Sequence, residues 1–307
     1  EIIKSKGVFF TLTTLLVISL LVASYSLYEV SQEQRSTIKR IETLNSFLFS
    51  TEEDLQREIY ISLFRSIFVI EDQITQTGTY VSDVKPKLTE LVINGTLNGQ
   101  FNEIMRGANY EEIKGIINER ANKINANISL TNPSITISQE DPWYVTATLQ
   151  VDIMLEDANN KVSWNKTEVI KSHVSVENFE APIYLVSTTG LVTNQIQKTK
   201  FYPFVEGTNV TNLKQHVSNS SYINSTSSPD FLQRLEGNIT SSQYGIESLV
   251  NLQELSNEGI SIKDKTCVDY IYFSASNPLS YRIQGMQTWF KIDQDHLDLY
   301  QVNNLTQ

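Results

Sequence analysis

Residues 4–29 read KSKGVFFTLTTLLVISLLVASYSLYE, and the reading of this stretch decides the architecture of the chain. From Val8 to Tyr28 there is neither a charge nor a proline. At roughly 1.5 Å per residue such a helix spans about 31 Å, the thickness of a bilayer core. Lys4 and Lys6 precede the run and Glu29 follows it. Positive-inside bias therefore predicts a cytoplasmic N-terminal tip, with everything after Glu29 outside. Thr11, Thr13, Thr14, Ser19, Ser24 and Ser26 are compatible with a membrane helix, because a hydroxyl can bond back to a carbonyl one turn earlier. Small polar residues also favour contact between helices. The lipid- or partner-facing surface is expected on Val8, Phe9, Phe10, Leu12, Leu15, Leu16, Ile18, Leu20, Leu21 and Tyr28.

Three readings of the run stand open. A cleaved secretory signal would use Lys4 and Lys6 as its charged leader and Val22–Ser26 (VASYS) as its small-residue site. The run is longer than the core of about 7–15 residues that such signals carry. An ordinary single-pass anchor fits the length equally well. The third reading comes from Lys6–Leu16, KGVFFTLTTLL, which resembles the start of type IV pilins and archaeal class III signal peptides. That resemblance is confined to the N-terminal helix. It implies processing on the cytoplasmic side at the Lys6–Gly7 junction, lipid as the first partner of the helix, and later packing against copies of itself in a filament core. The glutamate that bacterial pilins carry early in the run is absent here.

Composition narrows the classes. The chain has 307 residues, is 40% hydrophobic and 19% charged, and carries 35 acidic against 24 basic residues, a net charge of −11. A phosphate-tracking surface needs a basic face, so nucleic acid is not an expected partner. With one cysteine, Cys267, no intrachain disulfide can form and no thiolate cluster can hold a metal.

Beyond the membrane the expected fold is α+β: a long N-terminal transmembrane and stalk helix, then a head with an antiparallel β-meander and a second mixed α/β region. The boundaries fall at 1–28 for the tip and apolar helix, 29–77 for amphipathic stalk helices, 78–180 for helices plus meander, and 181–307 for the C-terminal region. Val30, Ile38, Ile41, Leu44 and Leu48 recur at helical steps. Ser50-Thr51-Glu52-Glu53 fits a capping box that would start a second helix, with a broad buried stripe of Leu55, Ile59, Leu63, Phe64, Ile67, Phe68, Ile70 and Ile74, ended by Gly78. A further helix is predicted over Tyr110–Ala126, followed by three strands of two-residue period around Ile128–Ile137, Val145–Ile153 and Val162–Val174. The last third suggests a strand at Ile183–Ser187, a helix over Ile246–Leu255 and an apolar strand at Val268–Ser274.

Chemistry is sparse. Asn-x-Ser/Thr occurs at Asn94, Asn127, Asn165, Asn209, Asn219, Asn224, Asn238 and Asn304, all on the expected outer side, where N-linked glycans are the anticipated partner. Asp293, Asp295, His296 and Asp298 form a local acidic group, read as a solvated turn rather than a metal site. Cys267 with His296 is read as a buried cysteine rather than a thiol dyad, and Trp289, Phe290 and Tyr300 as core rather than a sugar platform. There is no G-x-S-x-G, phosphate loop or H-E-x-x-H, so no cofactor and no catalytic residue is expected. A non-enzymatic structural surface subunit for adhesion or surface contact is the leading expectation; an anchored ligand-binding ectodomain comes next, and a hydrolase built from scattered residues last.

Overall fold

One helix, α1 (Ile2–Thr77), carries the apolar run and continues far past it. The computed structural model describes the backbone of residues 2–307 and the side chains from Phe9 onward. No glycine or proline interrupts the chain between Val8 and Thr77. The predicted break at Ser50 does not occur, because Thr51 bonds its hydroxyl back to the Phe47 carbonyl at 2.9 Å and stays inside the helix. Gly78 does end it, at φ +65°, with its N–H on the Ile74 carbonyl at 2.8 Å.

The chain is a mixture of helix and antiparallel sheet that divides into two compact units. The first comprises residues 1–54, 116–131 and 152–167 and the second 55–115, 132–151 and 168–307. After α1 come α2 (Val84–Asn94), a small hairpin of β1 (Thr96–Leu97) and β2 (Gln100–Phe101), and α3 (Tyr110–Lys123). The meander then follows as expected, with β3 (Ala126–Asp141), β4 (Tyr144–Asp157) and β5 (Ser163–Ser175) in that spatial order. In β4, Val145, Ala147, Leu149, Val151, Ile153 and Leu155 are all buried, the two-residue period of a strand with one covered face.

The first unit carries several ion pairs. Arg40 Nε lies 2.6 Å from Asp157 Oδ1 while its Nη2 donates to the Asn125 carbonyl at 2.6 Å. Lys166 pairs with Glu52 at 2.6 Å and Arg120 with Asp54 at 2.5 Å. Burial would raise the Asp157 carboxyl, but the Arg40 guanidinium outweighs it and holds the group below the usual carboxylate range.

The second unit holds α4 (Pro182–Ser187), α5 (Thr211–Ser218), β6 (Tyr222–Asn224), α6 (Phe231–Leu235), β7 (Ile246–Ser248), α7 (Leu252–Asn257), α8 (Asp269–Tyr272), β8 (Ser280–Arg282) and β9 (Lys291–Asp293). Three expectations are corrected here. Residues 183–187 are helical, because Pro182 occupies the first turn, where its fixed φ suits a helix. Ile246–Ser248 pairs with Tyr222–Asn224 as a strand, and the predicted helix shrinks to α7. Val268–Ser274 is a turn of helix, α8, since a short apolar run has too few residues for periodicity to separate strand from helix. On α1, Leu55, Ile59, Leu63, Ile67, Ile70 and Ile74 are buried as expected, but Phe64 and Phe68 are 44% and 49% exposed.

Candidate functional site

Within α1, thirteen large apolar side chains between Phe9 and Tyr28 are 50–72% exposed. Phe9, Phe10, Leu12, Leu15, Leu16, Ile18, Leu20, Leu21 and Tyr28, all expected on this surface, are among them. At about 1.5–3 kcal/mol per side chain, leaving them in water costs on the order of 20 kcal/mol or more. α1 is the one helix among the described residues long and apolar enough to cross a membrane. Four of its hydroxyls bond back into the helix: Thr13 and Thr14 donate to the Phe9 and Phe10 carbonyls at 2.8 Å, Ser19 to Leu16 at 2.9 Å and Ser26 to Val22 at 3.0 Å. Hydroxyls bonded back to the helix in this way suit an apolar surround. The Lys6–Gly7 junction and Val8 lie on the helical backbone, and their side chains fall outside the described residues.

The eight sequon asparagines, Asn94, Asn127, Asn165, Asn209, Asn219, Asn224, Asn238 and Asn304, are all exposed. At two of them the motif closes a local turn. Asn209 Oδ1 accepts from the Thr211 N–H at 3.0 Å and from its hydroxyl at 2.7 Å, and Asn238 Oδ1 accepts from the Thr240 N–H at 3.0 Å. Asn219 instead spends its amide Nδ2 on the Gln215 carbonyl at 2.7 Å, at the end of α5.

The acidic group near the C-terminus does not behave as a solvated turn throughout. Asp295 and Asp298 are exposed, but Asp293 and His296 are buried. His296 Nδ1 lies 2.6 Å from Asp293 Oδ1, and its Nε2 lies 3.2 Å from the Tyr270 hydroxyl. Glu247 Oε2 sits 3.4 Å from Nε2, an ion-pair contact rather than a well-formed hydrogen bond. Burial pulls the His296 pKa down, yet Asp293 and Glu247 outweigh it and lift it to about 10. Asp293 also accepts from Thr266 at 2.8 Å. These groups position one another inside the core, apart from Cys267. Its thiol is buried and pushed by desolvation up to about 12, so it stays protonated and unsuited to attack.

A further buried pair is one that sequence reasoning missed: Arg234 Nη1 to Asp269 Oδ2 at 2.8 Å, with Nη2 to Oδ1 at 3.2 Å. Arg234 Nη2 also donates to the Ile246 carbonyl, and Ser248 donates to Asp269 Oδ2 at 3.2 Å. Nothing in the sequence marks Arg234 as buried except its place after the Asp230 capping box that starts α6. Of the aromatic trio, Phe290 and Tyr300 are core. Tyr300 packs on Phe204 at 5.3 Å between ring centres and donates to Glu247 at 3.0 Å. Among the described residues, no three His, Cys, Asp or Glu groups are placed to hold a metal ion.

Comparison with known proteins finds no matching family model, no matching curated protein and no matching solved structure.

Proposed function

We propose that the chain is a structural subunit of an extracellular pilin-like filament. Its N-terminal helix first inserts in lipid with the lysines inside, then bundles with the same helix of other copies. The α+β part faces outward, carries N-linked glycans and makes surface contacts. The observation that carries this reading is the uncovered apolar surface of Phe9–Tyr28 on a helix whose later turns are covered by their own chain. The KGVFFTLTTLL sequence favours copies of the chain, rather than lipid alone, as the final cover. The exposure of every sequon asparagine is compatible with glycan transfer, which needs access to the side-chain amide.

A second reading, a non-polymerising single-pass ectodomain that binds a partner, draws on the same length match to one bilayer crossing. Electron cryo-microscopy of the native assembly separates the two. Helical filaments with a central bundle of these helices are the expected result, and isolated particles in detergent that never polymerise would reject it. Intact-mass measurement of the native chain tests the remainder, with a chain beginning at or after Gly7 and added glycan mass expected.

A further inference from the structure

The exposure of Phe64 and Phe68 is not random. With Tyr60 they stand at four-residue steps on one face of α1, and Glu71 follows one turn later on the same face. Together they line one wall of an open groove of about 530 Å³ whose other wall runs from Ser175 to Glu180, with Phe179 against Phe64 at 5.3 Å between ring centres. That volume falls within the range of small-molecule sites. The groove's lining includes three carboxyl groups, Glu71, Glu177 and Glu180, and no lysine, arginine or histidine. Glu71 is only 6% exposed and its Oε1 has no hydrogen-bond partner, as is also true of Glu180 Oε2. A buried carboxylate oxygen without a donor costs free energy, which Glu71 avoids by keeping its own proton; an arriving N–H donor would take that proton's place and also serve Glu180 Oε2.

We propose that this groove binds an organic cation, an ammonium or guanidinium ion on an apolar stem. The aromatic faces of Tyr60, Phe64 and Phe68 attract a cation through their quadrupoles. The stem would lie along the rings while Glu71 and Glu180 turn their buried, unpartnered oxygens toward the N–H groups, forming charge-assisted hydrogen bonds. This assignment is independent of whether the chain polymerises.

The protonation of Glu71 makes the proposal sharply testable. Desolvation, reinforced by the neighbouring Glu180 charge and only partly offset by the Glu180 backbone N–H, lifts its pKa to about 9. At pH 7 the group is therefore neutral, and a bound cation favours its ionised form. Binding should release close to one proton, and the apparent affinity should rise about tenfold per pH unit up to about pH 9. The other titratable groups facing Glu71 are Tyr60, Glu177 and Glu180.

The experiment is calorimetric titration of the full chain in detergent with n-butylammonium, with N-acetyl-arginine methylamide, and with n-butanol as the neutral analogue, in buffers of different ionisation enthalpy. Saturable binding of the cations with proton release is expected, with n-butanol at least tenfold weaker. Glu71→Gln should abolish the proton release and weaken binding about tenfold or more. Phe68→Ala, a half-exposed position, should weaken binding severalfold while leaving the proton release intact. Tighter binding of the arginine derivative would assign the groove to a side chain presented by a partner, and tighter binding of butylammonium to a free amine; both support the proposal. Absence of cation binding, equal binding of n-butanol, or an unchanged response in Glu71→Gln would overturn it.

Discussion

Two stretches of α1 differ in what covers them. Between Leu55 and Ile74, apolar residues recur at three- and four-residue steps, and seven in that span, Val69 included, are buried by the chain itself. Between Phe9 and Tyr28 they occupy nearly every position around the helix, and none is buried. The first pattern is that of an amphipathic helix packed on a core; the second is that of a helix long and apolar enough to cross a membrane. The same backbone thus carries both patterns without a break, because the difference is made by side chains and not by the hydrogen-bond ladder.

Perturbing each stretch should break this contrast in different ways. The largest effect is expected from Leu16→Arg with Leu20→Arg. At about 3–4 kcal/mol for each arginine replacing leucine at mid-membrane, the pair should abolish insertion and assembly while leaving circular dichroism of the outer units unchanged. Within the second unit, Asp269→Ala strands a buried guanidinium and should cost about 3–5 kcal/mol in denaturant unfolding, whereas replacing Arg234 and Asp269 together by Met and Leu should cost less than either alone. Gly245→Ala should follow at about 1–3 kcal/mol, because the added methyl meets the backbone carbonyls of Ser225 and Ser228, which cannot turn aside.

A smaller effect is set by pH. The folded pKa of His296 is raised above its unfolded value, so its contribution is fully present below about 6.5 and is lost as pH rises through about 10. The melting temperature should therefore fall by a few degrees between pH 7 and 10, at about 2–4 °C per kcal/mol, and His296→Gln should flatten that slope. Equal slopes in the two proteins would exclude His296 as the source.

Legibility in the sequence followed the length of the pattern. The apolar run, the buried stripe ending at Gly78, helix α3 and the meander could be read because each repeats its period over many residues. Residues 183–187, 246–255 and 268–274 were misread because a few residues carry too little periodicity, and because strand or helix there is decided by distant partners such as Tyr222–Asn224 for Ile246–Ser248. The capping box at Ser50 misled for a related reason: a start signal acts only where a helix has already stopped, and no breaker stands before it. Among candidate sites, the sequons and the apolar surface were visible as motifs. The groove along Tyr60, Phe64, Phe68 and Glu71 was not, since the exposed and buried parts of a broad apolar stripe look alike until the opposing wall is known.

The contrast between the two stretches is tested most directly by thiol labelling in the native assembly. Cys267 is buried in the fold but reacts once the chain unfolds, so it is first replaced by Ala to leave one thiol in each variant. Leu16→Cys and Phe68→Cys are each treated with a membrane-impermeant maleimide before and after denaturation. Phe68→Cys should label at once, and Leu16→Cys only after the assembly is dissolved and unfolded. Equal and immediate labelling at both positions would show that Phe9–Tyr28 remains in water and would contradict the account.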